Sequence, residues 1–221
     1  MKRRISHIFW DWNGTLLDDV GAALASVNDM LAARGLSPIT LEVYRRCVDT
    51  PIIRFYEQLF DLEKEDYNDL LAGYNDGYEK HLAECGLSPG ALHTLQAIRE
   101  TGARQIVVSS CEQTQLDKYV SLFGAAPYFD AVLGAANFYA ENKTGRALSY
   151  MQTHAIDGAA VLVIGDLTGD FEMARRLGAS CILISTGHHP SEVLSRCRVP
   201  LAGCFDDIER LLKENYRIAA P

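Results

Sequence analysis

A chain of 221 residues, 48% hydrophobic and 23% charged, is long enough for one large core, or one core with a small second unit, and has the composition of an ordinary globular protein. Its 21 basic and 29 acidic side chains leave a formal charge of -8. That balance excludes an electrostatic nucleic-acid footprint, and no basic patch or stacking array of aromatics offsets it.

Taken in chain order, four apolar runs end in small or acidic residues. The first, ISHIFW, closes at Asp11 and leads through Asn13-Gly14-Thr15 to the acids Asp18 and Asp19. The others are RQIVVSS at 104–110, AAVLVIGD at 159–166 and ASCILIST at 179–186. The middle two are nearly continuous in Val, Ile and Leu, as in strands buried on both faces. YFDAVLG at 128–134 adds a short strand. Helical patterns at 89–101, 112–123, 143–155 and 168–177 alternate with these runs, and Gly102 and Gly178 follow two of them as C-caps. The alternation predicts an α/β fold with a doubly wound, mostly parallel, Rossmann-like sheet.

Residues 17–86 interrupt that rhythm. Val20, Leu24, Val27 and Leu31 make a helical stripe that stops at Gly35, and the segments after it keep a helical period with no strand-like run. The expected organisation is a core of 1–16 and 87–221 with a helical cap, 17–86, inserted after the first strand.

The basic start, Lys2-Arg3-Arg4, precedes an apolar stretch that ends too soon for a signal peptide or a spanning helix. A cytoplasmic location is therefore expected, with no membrane role. The six cysteines lack paired metal-binding spacing and read as small apolar groups, with Cys111 in the first turn of a helix. His188-His189 has no carboxylate or cysteine at a ligand spacing and reads as a loop.

Ligands of a doubly wound sheet sit beyond the carboxyl ends of its strands. Asp11, Ser109 and Asp166 end three of the runs, and Asp170 follows in GDLTGD. A cluster of carboxylates favours a hard cation, and carboxylates with backbone carbonyls and water form a Mg2+ set. Such a cation orients an anionic substrate and neutralises its developing charge. The amides of Gly14, Thr15 and Ser110 are candidates for a phosphate-sized nest, and Lys143 for a mobile positive charge. Each residue alone also fits a helix cap, a turn or a solvated lysine. Their recurrence at the ends of adjacent strands favours one shared site.

Together these motifs resemble the haloacid dehalogenase-like hydrolases, specifically the phosphatases with a helical cap, such as phosphoglycolate phosphatases. DWNGTLLDD is similar to the family's Asp-x-Asp-Gly-Thr loop, VVSS at 107–110 to its strand-ending hydroxyl, Lys143 in ENKTG to its isolated lysine, and VIGDLTGDFEMARRLGA to its Gly-Asp-x-x-x-Asp motif. The resemblance implies that Asp11 attacks phosphorus and carries an aspartyl-phosphate. It implies Mg2+ held by Asp11, Asp166 and the Asn13 carbonyl, with Asp170 orienting metal waters or coordinating directly. Ser109 and the first-loop amides would bind the phosphoryl group, and Lys143 would bridge nucleophile and phosphate. The cap would close over a small phosphorylated metabolite and exclude water. No obligate protein partner is implied.

The chain departs from that pattern at Asn13, where the family's phosphatases carry the acid that protonates the leaving oxygen and then activates water. An amide keeps the size and the backbone carbonyl but cycles no proton, a function typically worth about 10² to 10⁴ in rate, or roughly 3 to 5 kcal/mol of barrier. Three readings follow: a phosphatase that tolerates the loss, an enzyme that releases its phosphorylated intermediate slowly, or a non-catalytic binding or regulatory protein that keeps the metal and phosphate cradle. Attack on carbon, as in dehalogenation, needs no Mg2+ and leaves the acids unexplained. Phosphonate hydrolysis needs a cap lysine, and neither Lys64 nor Lys80 has a context that singles it out. In the insertion, Arg45, Arg46 and Arg54 are candidates to meet a second anionic group, Arg45 foremost, with Tyr44 and Tyr56 as walls. Asn13-Gly14 is also a deamidation-prone pair.

Overall fold

The computed structural model describes residues 2–49, 52–137 and 143–221. Its strands are β1 (Arg3–Ile5), β2 (His7–Trp10), β3 (Leu17–Asp18), β4 (Gly86–Leu87), β5 (Arg104–Glu112), β6 (Ala131–Ala135), β7 (Val161–Gly165), β8 (Ser180–Ile184), β9 (Leu201–Ala202) and β10 (Tyr216–Ile218). Its helices are α1 (Val20–Ala32), α2 (Leu41–Cys47), α3 (Ile53–Glu57), α4 (Tyr67–His81), α5 (Ala91–Glu100), α6 (Gln113–Leu122), α7 (Lys143–Thr153), α8 (Thr168–Leu177), α9 (Ser191–Leu194) and α10 (Phe205–Asn215).

Six strands form one parallel sheet in the order β6-β5-β2-β7-β8-β9. Side chains along a strand alternate between faces, and the apolar runs therefore fill two layers. Ile8, Trp10, Val107, Ile164 and Ile182 share one layer with Leu95 and Ile98 of α5 and Phe205 and Ile208 of α10. Phe9, Val108, Val163 and Leu183 share the other with Ala147 and Met151 of α7 and Met173 and Leu177 of α8. Both faces are covered, which is why β2 and β7 carry almost no polar residue. The α/β fold with a doubly wound, parallel sheet is the one expected.

Between β3 and β4 the chain is helical. β3 and β4 pair antiparallel, Leu17 opposite Leu87, where the chain leaves and rejoins the sheet unit. These two short strands interrupt a segment expected to hold none; two residues each are too few to show a period. α1 and α4 lie close enough that a Cβ at Gly77 would collide with Ser26, whose hydroxyl donates to the Tyr74 carbonyl at 2.6 Å.

Two further elements were not among those expected, although Phe205, Ile208 and Leu212 of α10 do follow a helical period. β1 pairs with β10 in a separate parallel ribbon, and α10 covers one edge of the sheet layer. Cys111 corrects an expectation: it belongs to β5, not to a helix. The Ser109 hydroxyl accepts its amide at 3.1 Å, β5 continues to pair with β6 at Glu112, and the Glu112 carboxylate caps α6 by accepting from Gln115 N at 3.0 Å.

Candidate active site

β2 is the switch point of the sheet: the chain runs from it to β5 on one side and later to β7 on the other. Asp11 follows β2, and its amide donates to the Ile164 carbonyl of β7 at 2.9 Å. Asp166 follows β7, and Asp170 lies in the first turn of α8. The topology therefore gathers the three acids that the sequence spaces far apart. All three are buried, and one ligand oxygen from each lies within 4.8 Å of the others.

Lys143, the first residue of α7, ties this cluster together. Its Nζ lies 2.7 Å from Asp11 Oδ1 and 2.6 Å from Asp170 Oδ1. Asp170 Oδ2 accepts from Leu167 N at 3.0 Å, which fixes the acid across the start of α8. Asp166 is held at both oxygens, by the Thr15 hydroxyl at 2.8 Å and by His188 N at 2.7 Å. There is no slack around it. A Cβ at Gly14 or Gly187 would strike Asp166, and one at Gly165 would strike Asp170. Gly14 also needs its positive φ of 71° for the turn after Asn13.

Three carboxylates facing one ammonium leave the cluster with excess negative charge. Burial pushes the Asp11 carboxyl up, and the charges of Asp170 and Asp166 add to that against the pull of Lys143, so it reaches about 8. Burial likewise raises Asp166. The ammonium of Lys143, although burial disfavours it, is held protonated by Asp11 and Asp170. A buried, oxygen-only donor set with surplus charge fits a hard divalent cation.

A second network adjoins the first. Asp19, buried at the start of α1, accepts from Asn13 Nδ2 at 2.7 Å, from the Tyr78 hydroxyl at 2.6 Å and from Gly14 N at 2.6 Å. His188 Nε2 lies 3.4 Å from its other side, and His188 Nδ1 pairs with the Tyr44 hydroxyl at 3.0 Å. Burial would raise Asp19, but the charge and hydrogen bonds of His188, with those of Tyr78 and Asn13, bring it below the usual carboxylate range. Burial would lower His188, and Asp19 with the nearby acids instead raises it to about 9.

These groups open into a cavity of about 520 Å³. Its far wall comes from the helical segment: Val48, Ile52, Phe55, Tyr56, Leu71 and Tyr74. Tyr78 and Tyr119 also line it, as do Ser109, Ser110 and Cys111 of β5. The helical segment is tied to the sheet unit on two sides. Arg45 Nη2 donates to the Thr186 carbonyl at 2.8 Å, and His189 Nε2 lies 3.1 Å from the Val48 carbonyl. Opposite, Glu79 accepts from Lys118 at 2.8 Å and from the Tyr119 hydroxyl at 2.5 Å.

The structure thus brings together Asp11, Asn13, Ser109, Ser110, Lys143 and Asp170 on one cavity, with Asp166 and Thr15 just behind. Two residues expected to meet phosphate make other bonds: Gly14 N serves Asp19, and Thr15 N approaches the Trp12 carbonyl at 3.3 Å. Arg45 is not among the lining residues; its guanidinium latches α2 to the 186–189 loop. Asp19, Tyr78 and His188 enter the site unannounced. Asp19 had one available signal, an acid placed just before the apolar stripe of α1, where caps occur. Tyr78 and His188 had none, because only the tertiary fold carries them to Asp19.

A doubly wound α/β protein with a buried acid cluster at its switch point belongs to the class that binds ligands beyond the carboxyl ends of its strands. Residues 8–184 match the model of the haloacid dehalogenase-like hydrolase family, and the chain belongs to that family. Among curated proteins it is similar to phosphoglycolate phosphatases of Pseudomonas fluorescens, 23% identical over 216 residues covering 90% of this chain and 79% of the relative, and of Caulobacter vibrioides, 26% identical over 197 residues covering 85% and 83%. Among solved structures, a haloacid dehalogenase-like family hydrolase from Streptococcus pneumoniae superposes with a TM-score of 0.82 at 20% identity, over 95% of this chain and 98% of that one. Among the described residues no helix is long and apolar enough to cross a membrane.

Proposed function

We propose that this hydrolase is a Mg2+-dependent phosphomonoesterase that acts on a small phosphorylated metabolite through a phosphorylated Asp11. In this reading 17–86 is a cap over a core of 1–16 and 87–221, and the enzyme is cytoplasmic. Family membership and the phosphatase relatives support the reaction class. The observation that carries the reading is the Lys143 ammonium held between Asp11 and Asp170 on the lining of the cavity.

Asp11, Asp166, Asp170 and the Asn13 carbonyl would hold the Mg2+, which when bound supplies neutralisation of the phosphoryl charge. Asp11 is oriented for attack by its own neighbours: Trp12 N donates to Oδ1 at 2.8 Å, and Lys143 bonds the same oxygen. Oδ2 is left as the nucleophile. Lys143 offsets the repulsion between that carboxylate and an incoming phosphate dianion. Ser109 and Ser110 stand on the wall where phosphoryl oxygens would lie. Asn13 donates no titratable proton to the leaving oxygen, so turnover depends on how good that leaving group is.

One observation favours a second reading, a phosphate-binding or regulatory protein without turnover: the Asn13 amide is locked between Asp19 and Tyr78. The deciding experiment is a time course with p-nitrophenyl phosphate, whose leaving group needs the acid least. Mass-checked wild type, Asp11→Asn and a chelated control would be compared. A Mg2+-dependent burst or steady rate absent from Asp11→Asn supports the enzyme. No release even at enzyme stoichiometry leaves the binding protein.

A further inference from the structure

The cavity constrains what is attached to the phosphate. Its far wall is built from Val48, Ile52, Phe55, Tyr56, Leu71 and Tyr74, apolar or aromatic side chains on the helical segment. The charges on its lining are predominantly negative. Among the described residues Asp11, Asp19, Asp49, Glu112, Asp170 and Glu172 line it with Lys143, Arg176 and His188, and Asp49 and Glu172 pair outside the lining with Arg54 and Arg175. Lys143 is already committed to Asp11 and Asp170, His188 to Asp19, and Arg176 is exposed at the end of α8. Arg45, the cation best placed by sequence to meet a second anion, is bound to the Thr186 carbonyl instead.

We infer that the group esterified to the phosphate is aromatic and uncharged, making the substrate an aryl phosphomonoester and not a phosphorylated carboxylic acid; this rests on the phosphatase reading above. A carboxylate on the leaving group would meet an acidic lining whose buried cations among the described residues, Lys143 and His188, are already paired, and burying an unpaired charge is costly. A short acid would also leave most of the 520 Å³ to water. A ring, in contrast, removes apolar wall from water, since Val48, Ile52 and Tyr74 keep part of their surface accessible on that wall.

Asn13 points the same way independently. Asp11 attacks phosphorus, the P–O bond to the ring breaks, and its electron pair leaves as a phenolate. A phenol has a pKa near 10, as tyrosine does, so this oxygen departs without the proton an aliphatic alkoxide requires. Water then attacks phosphorus and the bond to Asp11 breaks. One water proton stays on the product as hydrogen phosphate, and the other neutralises the released phenolate.

The test uses wild type with Mg2+ and two sets of probes. The first is kcat/KM for phenyl phosphate, cyclohexyl phosphate and phosphoglycolate. The second is calorimetric binding of two non-hydrolysable phosphonates, benzylphosphonate and phosphonoacetate. Phenyl phosphate should exceed phosphoglycolate by about 100-fold, and cyclohexyl phosphate should trail phenyl phosphate. Benzylphosphonate should bind about 30-fold tighter than phosphonoacetate, the gain of burying one ring. Ile52→Arg, which puts a cation on the wall, should reverse the phosphonate preference; Leu71→Arg serves if that variant does not fold. Phosphoglycolate turned over best, or phosphonoacetate bound as tightly, overturns the inference and leaves the phosphatase standing. No ester hydrolysed with benzylphosphonate still preferred removes the phosphatase reading and keeps the aromatic site. Equal, weak binding of both phosphonates without hydrolysis removes both.

Discussion

Asn13 Nδ2 lies 2.7 Å from Asp19 Oδ2, and this single contact explains why an amide occupies position 13. A carboxylate accepts only, so the amide must turn its nitrogen toward Asp19. An acid at half-buried position 13 would set a second carboxylate against the buried Asp19, and one of the two would hold its proton to a raised pH. Asn13→Asp alone should therefore destabilise the protein at pH 8 by about 3 kcal/mol. A raised folded pKa means the folded state binds the extra proton, so the penalty should shrink as pH falls toward 5. Asn13→Asp combined with Asp19→Asn should recover most of the loss. Denaturant midpoints of the four proteins at both pH values form the double-mutant cycle, and additive effects would show that the two side chains do not interact.

The same carboxylate guards Asn13 chemically. Deamidation needs the Gly14 nitrogen to attack the asparagine side chain, and that N–H is bound to Asp19 at 2.6 Å. The native protein should deamidate much more slowly at Asn13 than the urea-unfolded chain does. Asp19→Ala should speed the native reaction. Peptide mapping after incubation at alkaline pH decides it, and equal native and unfolded rates would show that the loop gives no protection.

The acid cluster should make the metal-free protein pH-sensitive. Asp11 is pushed up to about 8 and Asp166 is raised as well, both chiefly by burial. Raised carboxylates bind protons in the folded state, so stability contributed by this cluster falls as pH rises through that range. A cation that binds only the folded form restores it, by about 2.7 kcal/mol at 100 times its Kd, or roughly 5 to 10 °C for a domain of this size. Mg2+ should thus raise Tm at pH 8 and do little at pH 5.5. Asp166→Asn should raise the metal-free Tm at pH 8 and abolish the Mg2+ response. A response unchanged in Asp166→Asn would place the cation elsewhere.

What the sequence disclosed and what it hid divide along physical lines. The strands were legible because β2, β5, β7 and β8 each hold three or more consecutive buried apolar residues, which read as apolar runs. Asp11, Asp166 and Asp170 were legible because sheet topology places strand ends together whatever the side chains do. The β1–β10 ribbon was not, since three-residue strands are too short to show a period, whereas α10, outside the expected elements, did carry a helical period at Phe205, Ile208 and Leu212. His188 illustrates the harder limit. Its neighbours in sequence say loop, and it lies in one, but its partner Asp19 is supplied by a fold in which residues 169 apart in sequence meet. Arg45 shows the converse: a cation on a helix carries no local mark of whether it faces a cavity or a carbonyl.

Arg45 therefore makes a prediction of its own. Its Nη2 bonds the Thr186 carbonyl, and its Nε is buried without a hydrogen-bond partner, so the side chain acts as a latch between α2 and the loop bearing His188. Arg45→Met should keep the hydrophobic stem and lose the latch. The ratio of KM values for singly and doubly anionic phosphomonoesters should stay within about twofold of wild type, since a residue outside the pocket discriminates little. Tm should fall by a few degrees, consistent with about 1 to 2 kcal/mol for a lost hydrogen bond to a charged donor. A selective rise in KM for the doubly anionic substrate would return Arg45 to the site.

His188 gives the clearest alkaline signature. The Asp19 charge beside it raises its pKa to about 9 in spite of burial. A histidine raised above its ordinary 6.5 stabilises the fold fully below that value, and the contribution is lost as pH rises through about 9. The gap corresponds to something on the order of 3 kcal/mol. Asp19, held below the usual carboxylate range, works at the other end: its contribution stands above its ordinary value and fades as pH falls through the folded one. Between those limits the ion pair is intact. His188→Gln should therefore cost most between pH 5 and 6.5 and converge on wild type near pH 10, read as Tm differences in chelated buffer. Asp166 and Asp11 also help to hold His188 protonated, so the difference reports the histidine against all three acids, Asp19 foremost. A pH-independent gap would mean that His188 is neutral in the fold and serves Asp19 only as a hydrogen-bond donor.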